Sequence, residues 1–320
     1  MLYIHQTSCI SPQQTFGSVD LETLRPSLEN QLHVLEPRYE GIPPGMLRRM
    51  GKCVRISVGA ALPLLREPVD GIIIGSGNGG LEDCIKFLDQ IIQYEEGMLT
   101  PANFVQSTAN AMAAQIGMMA RNQGYNSTHV QRGLAFECAL LDAMMFAASS
   151  PSGAFLLGGA DEISTYNNNI EILAGSFKSE IVSNSSLYDS LTPGSLAGEG
   201  AAFFRVSGLL GPIALLGLEI LHETDPVLVR ARLEAFLQLY GEPDLLLSGE
   251  NGDSRLSAFY NLGRPVVRFK HLCGEYPTAS SFGIWLACHF ISTGRAGRVL
   301  LYNTFKGAQH SFVLLGKGVF

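Results

Sequence analysis

Paired cysteines are missing from this 320-residue chain: its six, Cys9, Cys53, Cys84, Cys138, Cys273 and Cys288, stand far apart and form no C-x-x-C motif. That spacing excludes a zinc-finger ligand set and a disulfide framework, so neither a metal nor a cofactor is expected. Charge is sparse too. Charged residues make up 16% and the net charge is −7, which gives no broad attraction to nucleic acid or to an anionic membrane. No apolar run reaches membrane-spanning length, and Met1 to Gln6 has neither the basic flank nor the apolar stretch of a signal peptide. A cytoplasmic location is expected. The one local basic cluster, Arg48, Arg49, Lys52 and Arg55, reads as a solvated helix face, with docking of an acidic carrier protein as the alternative.

What is abundant is apolar: 46% of the residues are hydrophobic. A large core follows, with surface left to bury in an oligomer. Short aliphatic runs ending in loops alternate with helical stretches, the pattern of an α/β sheet with helices on its faces. The runs are Gly71 to Gly77, Ala154 to Ala160, Asp244 to Gly249 and Arg298 to Asn303; helices are expected over 50–65, 81–94, 110–122, 134–148, 225–240 and 279–293. Phe203 to Val206 closes a first series and Phe312 to Leu315 a second, so two similar halves, 1–206 and 207–320, are expected to share a core. The Asn-, Ser- and Tyr-rich stretch 164–193 reads as a surface excursion able to cover a pocket or an interface. Met112, Met118, Met119, Met144 and Met145 fit core or dimer contacts, or, as adaptable side chains, the lining of a pocket. Gly75 to Gly80 has the spacing G-x-G-x-G-G without the acidic partner of a dinucleotide fingerprint, so tight packing explains it.

Several segments in order resemble the β-ketoacyl synthases: Gly75-Ser76-Gly77-Asn78-Gly79-Gly80-Leu81-Glu82, Thr100 to Val105 leading to Asn110 to Ile116, Gly158-Gly159-Ala160-Asp161, and Gly198-Glu199-Gly200-Ala201. Lys270 to Glu275 is similar to the family's Lys-x-x-x-Gly-His, and Asn303 to Gly307 to its C-terminal turn. The resemblance implies a thiolase-like α/β fold, two similar αβ halves in a five-layered α-β-α-β-α arrangement, and a dimer. An active member would carry a cysteine that takes the acyl chain as a thioester, and two histidines that assist decarboxylation and steady the enolate.

None of the three is carried over. Counting without gaps forward from Asn110 and backward from Gly158 puts the nucleophile position on Gly133 both times. The first histidine position falls in the loop Ser248 to Asp253, between Gly249 and Asn251, and the second is Glu275. Lys270 is retained; in the resembled family it organises the site through a carboxylate, here Asp253 or Glu250, an ordinary structural ion pair being the other reading. His129, Arg132, Cys138 and Phe305 are further pocket candidates. His129 fits a structural histidine, and Cys138, five residues along the helix from Gly133, points to another face. Arg132, a charge beside a buried site, calls for a partner such as Glu137 or Glu275.

The resemblance therefore implies a ketosynthase-like subunit of fatty acid or polyketide-type biosynthesis without condensing chemistry of its own, similar to chain-length factors that shape the acyl tunnel of an active ketosynthase. Its length and the Arg132-Gly133 sequence resemble in particular the ketosynthase-like proteins of bacterial aryl-polyene and flexirubin-type pigment clusters. The implied partners are an active ketosynthase or a second copy, and an acyl carrier protein. The alternatives are a condensing, decarboxylating or acyl-transferring enzyme with rearranged residues (Cys138, His129 or Glu275), and a homodimeric acyl-binding scaffold.

Overall fold

The computed structural model describes residues 1–318. Its first half runs β1 (Leu2–Ile10), β2 (Gln31–Leu32), α1 (Pro44–Leu47), α2 (Lys52–Ala61), β3 (Gly71–Gly75), α3 (Leu81–Gln93), α4 (Pro101–Gln106), α5 (Ala111–Ala120), β4 (Tyr125–His129), α6 (Ala135–Ser149), β5 (Ala154–Asp161), α7 (Thr165–Leu173), β6 (Ala197–Gly198) and β7 (Gly200–Ser207). The second runs β8 (Ile213–His222), α8 (Pro226–Tyr240), β9 (Leu245–Ser248), α9 (Ser257–Tyr260), β10 (Val267–Arg268), α10 (Lys270–Cys273), α11 (Ala279–Ser292), β11 (Arg298–Phe305) and β12 (Gln309–Lys317).

Ten strands form one mixed sheet in the order β10-β9-β11-β12-β8-β1-β7-β5-β3-β4. From the middle outward the two sides repeat one another. In each, an antiparallel series of three strands leads to parallel pairs, β5-β3-β4 on one side and β11-β9-β10 on the other. The sides meet where Leu2–Ile4 of β1 pairs antiparallel with Ile213–Leu215 of β8.

Alternation of side chains along the strands sorts most of the apolar residues into three large cores. Ile72, Ile74 and Phe203 face an outer layer of α2 and α5, while Ile73, Leu157 and Phe204 face inward to α6 and α11. In the second half Leu300, Phe312 and Leu314 face α8, and Leu301 and Val313 turn to the same central helices. The two sides of the one sheet thus lie over the central helices, each with helices on its outer face, and five layers result. α11 is apolar nearly all round because it is the middle layer, with Phe282, Trp285 and Leu286 buried among strands of both halves. α6 lies close on the sheet because Gly75 has no side chain; a Cβ there would come within 2.5 Å of the Ala135 and Phe136 backbone. α8 starts where Asp225 accepts the Val227 N–H at 2.8 Å with Pro226 in the first turn, a cap worth about 1 kcal/mol.

Among the described residues no helix is long and apolar enough to cross a membrane.

Candidate functional site

The loops that follow β3, β5, β9 and β11 converge at one end of the sheet, the end where parallel strands leave side chains and backbone groups free for a site. Asp161, the last residue of β5, ties them together. Its Oδ1 accepts from the Ser76 hydroxyl at 3.1 Å and the Gly77 N–H at 2.9 Å, and its Oδ2 accepts from the Thr278 N–H at 3.0 Å and hydroxyl at 2.7 Å. One buried carboxylate thus joins the glycine turn after β3 to the start of α11. Burial pushes its pKa up to about 6 against the pull of the Thr278 and Ser76 bonds.

Gly133 is buried in the turn that opens α6, and its space is taken. A Cβ built on it would lie 2.1 Å from Cβ and 2.3 Å from Cγ of Phe305, at the end of β11. Its backbone N–H donates to the Gln309 side-chain carbonyl at 3.0 Å. The position therefore has neither a side chain nor a free amide to offer a thioester. Phe305 and Gln309 fill and cap it. Arg132 holds a left-handed backbone with φ 51°, and its side chain is exposed, without an ion pair among the described residues. Neither Glu137 nor Glu275 is its partner. Glu137 is fully buried and accepts from Ser311 at 2.7 Å, with its pKa raised by burial.

Asn251 and Glu275, the residues expected at the two histidine positions, meet each other. Asn251 donates from Nδ2 to Glu275 Oε2 at 2.8 Å, and the fully buried Lys270 ammonium donates to Oε1 of the same carboxylate at 2.8 Å. The partner of Lys270 is thus Glu275, in place of Asp253 or Glu250. Asp253 is taken by Arg255, whose guanidinium and N–H outweigh burial and lower its pKa; Glu250 is taken by Arg268 at 2.7 Å. Gly249, the other possibility for the first histidine, packs on Asn303 instead.

Above this group lies a cavity of about 760 Å3. Asn251, Glu275, Asp253, Arg132 and Phe305 all line it, with Gly133 beneath Phe305 and Lys270 behind Glu275. The 164–193 stretch supplies a wall: Asn167, Ile170 and Glu171 from α7, then Ser176 and Phe177. Sequence reasoning missed Glu162, also in the lining, whose Oε2 accepts the Cys53 N–H at 3.0 Å. Burial pushes its pKa up to about 7, with the Asp83 charge adding to the rise.

Two candidates lie elsewhere. His129 ends β4 and pairs with Asp142 at 2.9 Å, and Tyr125 donates to the same carboxylate at 3.0 Å. Cys138 is half-buried on α6, and burial, with Glu137 beside it, raises its thiol pKa, the reverse of nucleophile activation. Of the basic cluster, Lys52 is bound to Glu199 and Arg55 to Glu36, which leaves Arg48 and Arg49 exposed.

Two repeated αβ halves in five layers, with a glycine-rich site where their strand ends meet, define the thiolase-like fold. Residues 25–167 match the family model described as Beta-ketoacyl synthase, N-terminal domain. No curated protein matches the chain. Among solved structures it resembles the ishigamide ketosynthase/chain length factor at 17% identity, with 99% of each chain covered and a TM-score of 0.79. A β-ketoacyl synthase from Burkholderia phymatum follows at 13% identity, 99% of each chain and 0.78. The ketosynthase ApeO in complex with its chain length factor ApeC, from Xenorhabdus doucetiae, matches at 15% identity, 99% of this chain and 98% of that one, with a TM-score of 0.74. At these identities the likeness is one of fold.

Proposed function

We propose that this chain is a chain-length-factor-type subunit: it pairs with an active ketosynthase, shapes that partner's acyl tunnel and performs no condensation itself, in a fatty acid or polyketide-type pathway such as aryl-polyene synthesis. The observation that carries the proposal is Phe305 on Gly133. A site that had merely lost its thiol would keep the hole; here an aromatic ring fills it. The Asn251–Glu275–Lys270 chain supports the same reading, because the side chains at both histidine positions are bonded to each other and to a buried ammonium rather than aimed at a substrate.

The pairing surface we propose is the outer edge of β4, at the end of the sheet, flanked by exposed Met118, Val130, Leu141 and Met145. An unpaired edge strand beside apolar side chains needs covering. The occupant we assign is a ketosynthase subunit, since solved structures of this fold include a ketosynthase with its chain length factor. Arg48 and Arg49 are offered for an acidic acyl carrier protein, the cytoplasm as the location, and 1–206 and 207–320 as the two halves.

Co-expression with a ketosynthase, followed by intact mass measurement of the complex, tests the reading. A one-to-one complex with acyl mass only on the partner is expected. A homodimer that acquires acyl mass on this chain, at Cys138 or elsewhere, or that decarboxylates a malonyl carrier alone, overturns it.

A further inference from the structure

The 760 Å3 cavity lies within the size range of a small-molecule site. Its charges nearly cancel in pairs. Lys306 is bound to Glu171, Arg255 to Asp253, and the buried Lys270 to Glu275. Glu162 accepts the Cys53 N–H, and its raised pKa of about 7 leaves its carboxyl partly neutral near pH 7. That leaves one lining cation, Arg132, with no acidic or hydrogen-bonding partner for its side chain among the described residues.

Arg132 is also held in an uncommon way. Its φ of 51° is a left-handed conformation that costs a residue other than glycine, and such strain collects where side-chain placement matters. The neighbours on both sides of it are fixed: Gly133 by Gln309 and Phe305, and Gln131 through its carbonyl, which accepts from Gln309 at 3.5 Å. Arg132 is therefore held at the rim of the cavity by a rigid turn. The rest of the wall supplies apolar surface, with Leu81, Ile163, Ile170, Phe177, Leu256 and Phe305.

We infer that this cavity is a non-covalent site for a carboxylate on an apolar chain, a free medium-chain carboxylic acid, with Arg132 as its anion anchor. The ligand class follows from the wall: one unpaired cation, apolar flanks, and no nucleophile to form a thioester at Gly133. A guanidinium pairs a carboxylate through two parallel hydrogen bonds, which an alcohol cannot match. The inference stands whether or not the chain pairs with a ketosynthase.

The experiment is calorimetric titration of the purified chain with sodium octanoate and, separately, octan-1-ol. Saturable octanoate binding is expected, with Arg132→Gln weakening octanoate by about fivefold or more and leaving octan-1-ol unchanged. Arg132→Gly is the second variant. It suits the left-handed backbone, so it is expected to melt no lower than the parent while losing octanoate to the same degree. Arg230→Gln, on the far helix α8, serves as a control expected to bind as the parent does. Absence of octanoate binding, equal affinity for octan-1-ol, or octanoate affinity unchanged in both Arg132 variants overturns the inference.

Discussion

Phe305 stands against the α-carbon of Gly133, so close that any side chain at 133 would overlap the ring. The glycine and the phenylalanine are therefore one feature: neither could take its present form without the other. Restoring a cysteine alone, Gly133→Cys, is expected to overpack the site and destabilise the chain by about 1–3 kcal/mol in denaturant unfolding. The added thiol is expected to resist iodoacetamide. Pairing it with Phe305→Ala should recover most of the loss and make the thiol reactive. A stable, readily alkylated Gly133→Cys single variant would show that the ring yields, and that the position is not closed.

Lys270 is fully buried and its ammonium has one carboxylate partner, Glu275. Removing that partner leaves a buried ammonium without its ion pair. Glu275→Ala is expected to cost about 3–5 kcal/mol, and Glu275→His, which would restore the residue expected of an active enzyme, to fall in the same range. The double variant Lys270→Met/Glu275→Leu should be less harmful than Glu275→Ala, because it removes both charges together. Urea unfolding of the three variants checks the order; a double variant worse than the single would contradict it.

Motifs on either side set the count to Gly133, Asn251 and Glu275, and these three do gather around one cavity; the long helices were legible as sustained apolar stretches between turn signals. The contacts of those three residues were not. Phe305 and Gln309 reach Gly133 from the far end of the chain, 176 residues away in the case of Gln309, and no spacing rule reports such a meeting. The resemblance implied Asp253 or Glu250 as the carboxylate for Lys270, yet Arg255 and Arg268 hold those two. Of the missed strands, β1 breaks its own alternation at a bulge between Ile4 and Gln6, and β4, Tyr-Asn-Ser-Thr-His, is polar because it lies at the sheet edge.

Met118 and Met145 are each 64% exposed on the helices beside β4. Such residues contribute little to the fold of a single chain, so Met118→Glu/Met145→Glu should leave the melting temperature nearly unchanged. In a complex, two carboxylates would be desolvated in an apolar interface, and association with a co-expressed ketosynthase should weaken by about tenfold or more. Size-exclusion chromatography of the co-expressed pair reads the outcome. Undiminished co-elution would remove the β4 edge from consideration as the pairing surface.

Acid groups near the site set the response to pH. Burial lifts Glu162 from 4.5 to about 7, with the Asp83 charge adding to the rise and Lys52 opposing it, and burial lifts Asp161 from 3.8 to about 6. A folded state that holds these protons more tightly than the unfolded chain is favoured by them at low pH. That contribution is fully present below the ordinary carboxylate values and is lost as pH rises through about 6 to 7. Glu36, Glu199 and Asp253 act in the opposite sense, since their arginine, histidine and lysine contacts outweigh burial and lower their values. Their effect falls at or below the ordinary values of 3.8 to 4.5, outside this window. Glu162→Gln keeps an acceptor for the Cys53 N–H and cannot ionise. Because Glu162 is only half-buried, its share of the loss between pH 5 and pH 8 is expected to be about 1–2 kcal/mol. The variant should therefore show a flatter stability profile over that range and a gain over the parent at pH 8; equal slopes for both proteins would mean that Glu162 titrates in the folded chain as it does in the unfolded one.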